Sequence, residues 1–174
     1  KLNNAKIDNI IINGSINNPD EIDRNLISQF KINLSECLNM RTFLDHNRIY
    51  KQPKHIVHKS IKTTGAFCYK GKLISNDELI NNLIEHFSTW TPYIKKFGLI
   101  LLELHTVDPE HIADNQFDTP AIAYDATHGF SDQYLIEHYI FEKCLLKAGL
   151  KLEPKHQTLF PDKKNPTISI NYIR

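Results

Sequence analysis

The run Tyr124-Asp125-Ala126-Thr127-His128-Gly129-Phe130-Ser131-Asp132-Gln133-Tyr134 gathers two aspartates, a histidine, an amide and several hydroxyls. Carboxylate, imidazole and amide oxygen are all metal ligands, and imidazole titrates near neutrality. Such a run is suited to holding a divalent ion or moving a proton. Two other groups share its character, Asp45-His46-Asn47 and Glu103-Leu104-His105. Convergence of His46, His105 and His128 would make a two- or three-histidine metal site, completed by an aspartate or Gln133. It would equally make a general base oriented by a carboxylate. Each residue also has a plain structural reading. A histidine at a strand end is often a hydrogen-bonded loop residue, Asp132 and Ser131 are suited to N-capping a helix, and Asp45 to anchoring a turn through Arg48. His55, His58, His86, His111, His138 and His156 read as solvated or packing residues. No Gly-x-Ser-x-Gly elbow occurs, and no cysteine lies in a nucleophile-like loop, so covalent hydrolase chemistry finds no support.

The elements that must position these groups alternate between strands and helices. Asn9–Asn13 is a short β-branched run ended by Gly14 and predicts a buried strand. Asn18-Pro19-Asp20-Glu21 then starts a helix with Ile22, Leu26, Ile27 and Phe30 on one face. Cys37–Leu44 predicts a second strand delivering Asp45 and His46 at its end. Ile49–Lys72 holds a basic stretch, readable as a solvated face or a lid, and a possible hairpin at Gly65–Gly71. Ser75-Asn76-Asp77-Glu78 is a capping box for a helix with Leu79, Ile80, Leu83, Ile84 and Phe87 as its stripe, which Thr91-Pro92 should end or kink. Phe87, Trp90, Tyr93 and Phe97 read as packing aromatics. Leu99–Leu104 is a continuous apolar run typical of a central strand. A further helix is expected from Ser131 or Asp132 to a Gly149 cap, followed by strands at Thr158–Pro161 and Thr167–Tyr172. Helical crossovers argue for a parallel sheet, and the short terminal connection for an antiparallel end pair. The polar groups then fall on one rim, where such folds carry their chemistry.

At 174 residues the chain is long enough for one domain with a real core. A net charge of +1 offers no electrostatic reason for a nucleic-acid or anionic-membrane partner. No apolar run approaches the ~20 residues of a membrane span, and no secretory signal is visible. Cys37, Cys68 and Cys144 are odd in number and widely spaced, as expected of free thiols in a reducing, cytoplasmic setting. The chain starts at Lys1 within strand-leading sequence and has no GxGxxG turn, so it reads as the later part of a longer protein.

Four stretches carry a resemblance. These are the segment from Asn13 to Pro19, Arg41–Arg48 as RTFLDHNR, Phe97–Thr106 as FGLILLELHT, and Asp125–Leu135 as DATHGFSDQYL. With the element order, they resemble the later half of class I S-adenosylmethionine-dependent methyltransferases. Within that class they resemble the metal-dependent methyltransferase domains of polyketide loading modules, of the apratoxin type, over nearly the whole chain. The resemblance implies a Rossmann-like α/β sheet, mostly parallel with an antiparallel terminal strand pair, whose N-terminal part, with its glycine-rich motif, lies upstream of Lys1. It implies Gly14, Ser15 and Ile16 against the cofactor's adenine, although the family more often has an acidic residue where Ser15 stands. Asp45 and His46 would sit beside methyl donor and acceptor, and His128, Gln133 and His46 would be candidate ligands for Mn²⁺ or Fe²⁺. The implied reaction is methyl transfer from S-adenosylmethionine to a small-molecule or carrier-protein-bound acyl group, with a histidine (His128, His46 or His105) taking a proton. The rival expectations are a metal-dependent hydrolase or lyase built on His46, His105 and His128, and a degenerate non-catalytic module.

Overall fold

The structure is a computed structural model that describes residues 8–114 and 132–174. Helix α1 (Pro19–Phe30) begins at the expected proline and ends where Lys31 takes a left-handed conformation, φ 61°. Ile22 and Leu26 pack on the core, while Ile27 and Phe30 stay partly exposed. The expected strand at Asn9–Asn13 is corrected: those residues form no regular element, and Ile11 is 89% exposed. The run joins neither sheet of the described residues. Its β-branched run therefore has no ladder to fix it as a strand, and Ile10 and Ile11 stay exposed.

Strand β1 (Asn39–Thr42) is followed by an irregular segment and a small hairpin, β2 (Phe67–Tyr69) and β3 (Lys72–Ile74). Helix α2 (Asn76–Ile94) opens on the capping box, Ser75 Oγ accepting from Glu78 N and Glu78 Oε2 accepting from Ser75 N. Its stripe of Leu79, Ile80, Leu83, Ile84 and Phe87 is buried, each side chain contributing about 1.5–3 kcal/mol. The helix passes Pro92 and stops two residues later. Strand β4 (Leu99–Leu104) and helix α3 (Pro109–Asp114) follow. Helix α4 (His138–Lys147) begins later than the expected Ser131 or Asp132. Asp132 takes φ 52° instead of capping, and Tyr134–Ile136 run extended into the core. Asp132 instead accepts from Lys70 N, tying this stretch to the β2–β3 turn. The α4 cap is Ala148, and Gly149, the expected cap, follows it with φ 81°. Strands β5 (Thr158–Phe160) and β6 (Ile168–Ile173) close the chain.

The main sheet has the order β1-β4-β6-β5. β1 pairs parallel with β4, and β6 is antiparallel to both β4 and β5. Three strands therefore run one way and β6 opposes them, giving the mostly parallel sheet with an antiparallel terminal pair that the sequence predicts. The inward face presents Arg41, Leu99, Leu101, Glu103, Ser169, Asn171 and Ile173 to the helical layer. The outward face is apolar and more open, with Met40 exposed and Ile100, Leu102, Ile170 and Tyr172 half-buried.

The segment between β1 and β2 has little regular structure, yet side chains from the helices strap it down. Glu85 accepts from Lys54 N and His55 N, Asn81 from Val57 N and His58 N, and Asn82 donates to Lys51 O. At the far end the Glu137 carboxylate accepts from Thr63 Oγ1 and from both N and Oγ1 of Thr64. The segment's backbone groups thus find partners without a ladder.

Gly98 delivers the chain into β4 with φ 84° and donates from its amide to Ile94 O. A Cβ there would lie 2.4 Å from the Tyr172 ring. Gly98→Ala is expected to lose at least ~1–2 kcal/mol from backbone strain, with the clash added. A urea midpoint equal to that of the parent protein would refute this account.

Candidate functional site

The site grows from a single carboxylate. Glu103 sits at an inward position of β4, 2% exposed, where the alternation otherwise places Leu99 and Leu101. Its Oε2 accepts from the backbone amides of Asp45 (2.9 Å) and His46 (3.1 Å). Its Oε1 lies 2.5 Å from His46 Nδ1 and accepts from Leu104 N at 2.8 Å. Four partners satisfy a charge that would be costly to bury alone. The arrangement fixes the turn after β1 and sets the tautomer of His46: Nδ1–H donates to Glu103, leaving Nε2 as an acceptor. Nε2 accepts from Asn47 Nδ2 at 2.9 Å, and Asn47 Oδ1 accepts in turn from Gln133 Nε2. Tyr134 N donates to His46 O, fastening the stretch before α4 to the turn after β1. His46 is 4% exposed while Asn47 is exposed, so the chain Glu103–His46–Asn47–Gln133 leads from the core to the surface.

Asp45 turns the other way. Its Oδ1 contacts Arg41 Nη2 at 3.2 Å and His86 Nε2 at 2.9 Å, and its carbonyl accepts from Arg48 Nη1 at 2.9 Å. Burial pushes its carboxyl pKa up, but Arg41, His86 and Arg48 outweigh burial and hold it below the ordinary aspartate range. Arg41 is stacked on Trp90, 4.5 Å from the ring centroid, and Arg48 Nε donates to Asn82 Oδ1. Burial draws the Arg48 guanidinium down to about 10, with Asp45 opposing. At 1% exposure Asp45 is a positioning residue: it locks the end of β1 to α2 through His86. The expected turn anchored on Arg48 is present, made by the Asp45 carbonyl.

Gly14 and Ser15 lie exposed in a loop ahead of α1. Asn18 N donates to Ser15 O, and Trp90 Nε1 donates to Ile16 O at 2.7 Å. Trp90 thus links this loop to the Arg41–Asp45 pair. His105 lies in the core at 3% exposure, its Nε2 2.7 Å from Ser169 Oγ and its ring edge-on to His138 and Phe141. Among the described residues no group of three His, Cys, Asp or Glu side chains is placed to hold a metal ion. Of the expected ligands, His46 and Gln133 meet through Asn47, and His128 lies outside the described residues, as do Asp125 and Ser131.

Two members of the site carry faint signals in the sequence. Glu103 is the lone carboxylate of an apolar strand, at a position whose parity points inward. His86 falls between Leu83 and Phe87 on the buried side of α2, where a solvated histidine has no place.

Burial pulls the His105 pKa down to about 3, with His138 adding to the effect. Its unfolded value is near 6.5, so between about 3 and 6.5 the unfolded chain binds the extra proton. His105 therefore contributes stability that is fully present above pH ~6.5 and is lost as the pH falls through that window, at up to about 1.4 kcal/mol per unit. His105→Gln should flatten the dependence of urea midpoint on pH between 6.5 and 4. An unchanged slope would show that other groups set it.

Among the described residues no helix is long and apolar enough to cross a membrane. No curated protein matches the chain. Residues 1–171 match the family model described as the AprA MT2-like domain. This covers nearly all of the chain and agrees with the apratoxin-type resemblance of its motifs. The chain belongs to the AprA MT2-like family of methyltransferase domains.

Proposed function

We propose that the chain forms the acceptor side of an S-adenosylmethionine-dependent methyltransferase, with His46 as the proton acceptor and Glu103 as the group that orients it. The observation that carries this reading is the buried Glu103–His46 pair, Oε1 to Nδ1 at 2.5 Å, with Nε2 directed to the polar surface at Asn47. A base must present a lone pair toward its substrate and have its conjugate acid stabilised. Glu103 does both, fixing the tautomer and stabilising the imidazolium once the proton arrives. The Rossmann-like expectation is supported by the strand directions and by the rim position of the site beyond the ends of β1 and β4.

S-adenosylmethionine supplies an electrophilic methyl group on sulfonium when bound. The Gly14–Ile16 loop, exposed at Gly14 and Ser15 and held by Trp90, is suited to lie against its adenine. Asp45 keeps that loop and the His46 turn on one scaffold through Arg41 and Trp90. The acceptor is a small-molecule or carrier-bound acyl group with an acidic C–H or O–H that His46 deprotonates, so that a carbon or oxygen nucleophile meets the methyl group in line. Asn47 must give up its bond to Nε2 for this, and Gln133 is placed to keep the Asn47 amide when it swings.

The second reading is metal-assisted transfer. It is favoured by the same pair, because a ligating histidine commonly holds its other nitrogen on a carboxylate. His46 and Gln133 would hold the ion, which would supply Lewis-acid stabilisation of an enolate oxygen.

Calorimetric titration of the full-length parent protein with S-adenosylmethionine, with and without Mn²⁺ or Fe²⁺, tests the cofactor; absence of binding under both conditions sinks the proposal. With a malonyl-type thioester as acceptor, His46→Ala should lower kcat by ~10²–10⁴-fold. Glu103→Gln should lower it by roughly 10–100-fold and shift the pH–rate profile, with S-adenosylmethionine affinity retained. Glu103→Gln turnover equal to the parent's would remove the orienting role.

A further inference from the structure

Beside the candidate site, a cavity of about 250 Å³ opens between the loop before α1, the segment after β1 and the middle of α2. Its lining includes Asn17, Arg48, Lys51, Lys54, Glu85 and His86. Three of these are cations and one is a carboxylate. Glu85 is already engaged, Oε1 accepting from Lys54 N at 2.8 Å and His55 N at 3.3 Å, and its work is to hold the strand of chain that bears the lysines. Arg48 lines the cleft at 2% exposure, its guanidinium also lying over the Tyr134 ring, 5.4 Å from the centroid. Its Nε and Nη1 are bonded to Asn82 and Asp45, and its Nη2 is a buried donor with no hydrogen-bond partner. Lys51 and Lys54 are exposed at the mouth. The arrangement is a buried charge behind two exposed ones, in a concave setting where the lower dielectric strengthens attraction for an anion.

From this geometry we infer that the cleft of Arg48, Lys51 and Lys54 is a binding site for a phosphate group. A carboxylate would use at most one forked partner and leave much of the volume and charge unmatched. A tetrahedral phosphate offers several acceptor oxygens to ammonium groups approaching from different sides. The site is distinct from the Glu103–His46 pair and adjoins it through His86, which bonds to Asp45. It does not depend on the methyl-transfer reading, because phosphate binding is read without turnover.

The test is titration of the protein with inorganic phosphate, followed by calorimetry or amide chemical shifts, at low and at 0.3 M KCl. Saturable millimolar binding that weakens with salt is expected. Lys51→Ala/Lys54→Ala should weaken it at least fivefold with an unchanged unfolding midpoint, since both side chains are exposed. Lys163→Ala/Lys164→Ala, the lysine pair beside the β5–β6 turn, should leave it unchanged. Methyl phosphate and dimethyl phosphate separate the possible sources: tighter binding of the monoester marks a free phosphomonoester, and equal binding of the diester marks a phosphodiester linkage. No saturable binding, or an equal loss in the Lys163/Lys164 variant, overturns the assignment.

Discussion

The organisation of this molecule depends on one buried carboxylate. Glu103 stands at a position that the strand pattern reserves for an apolar side chain, and removing its charge from water is expensive. That cost is offset by four donors, three of them backbone amides and one the imidazole of His46. Each donor is thereby fixed. The turn after β1 must keep its shape to satisfy the carboxylate, and His46 must keep its tautomer. Asn47 and Gln133 then inherit their positions from His46. A second layer, Asp45 with Arg41, His86 and Arg48, locks the same turn to α2 from the opposite side. Stability and chemistry are thus not separable here: the group that would orient a base is also the group that fixes the turn after β1 against β4.

Where local signals and tertiary packing agreed, the sequence was legible. The capping box at Ser75, the stripe of α2, the apolar run of β4 and the alternation of β6 each specify an element through side chains within one turn or one strand. Asn9–Asn13 carries as strong a β signal as β4, but it joins neither sheet of the described residues. A strand is a relation between segments, and a single run does not reveal its partner. α4 starts at His138, later than the cap-like Asp132 suggests. Tyr134–Ile136 are held extended by contacts with His46 and Thr106 that are remote in sequence.

The site was legible in outline and obscure in its links. His46, Asp45 and Gln133 stood out by composition, and the structure joins His46 to Gln133. His105 stood out equally, yet its ring packs against His138 and Phe141 and hydrogen-bonds to Ser169 within the core. The difference lies in the residue that meets each ring, which only the register of β4 against β6 and the seating of α4 determine. Glu103 stood out only as a neighbour of His105, and His86 read as a solvated or packing residue, because the partners of both are some 40 to 60 positions away in sequence. Membership of the methyltransferase family gives this scaffold its chemical setting, and the basic segment strapped across α2 gives the site a neighbour of its own.

The last strand has a consequence for how the molecule is made. β6 is inserted between β4 and β5, so the centre of the sheet stays open along the whole edge of β4 until Ile168–Ile173 have been synthesised. On the ribosome, the earlier residues can form α2 and the parallel β1–β4 pair, but they expose an unpaired apolar edge meanwhile. The sheet therefore closes only once β6 docks, and the interval before it does is the period in which the nascent chain is most open to wrong strand partners.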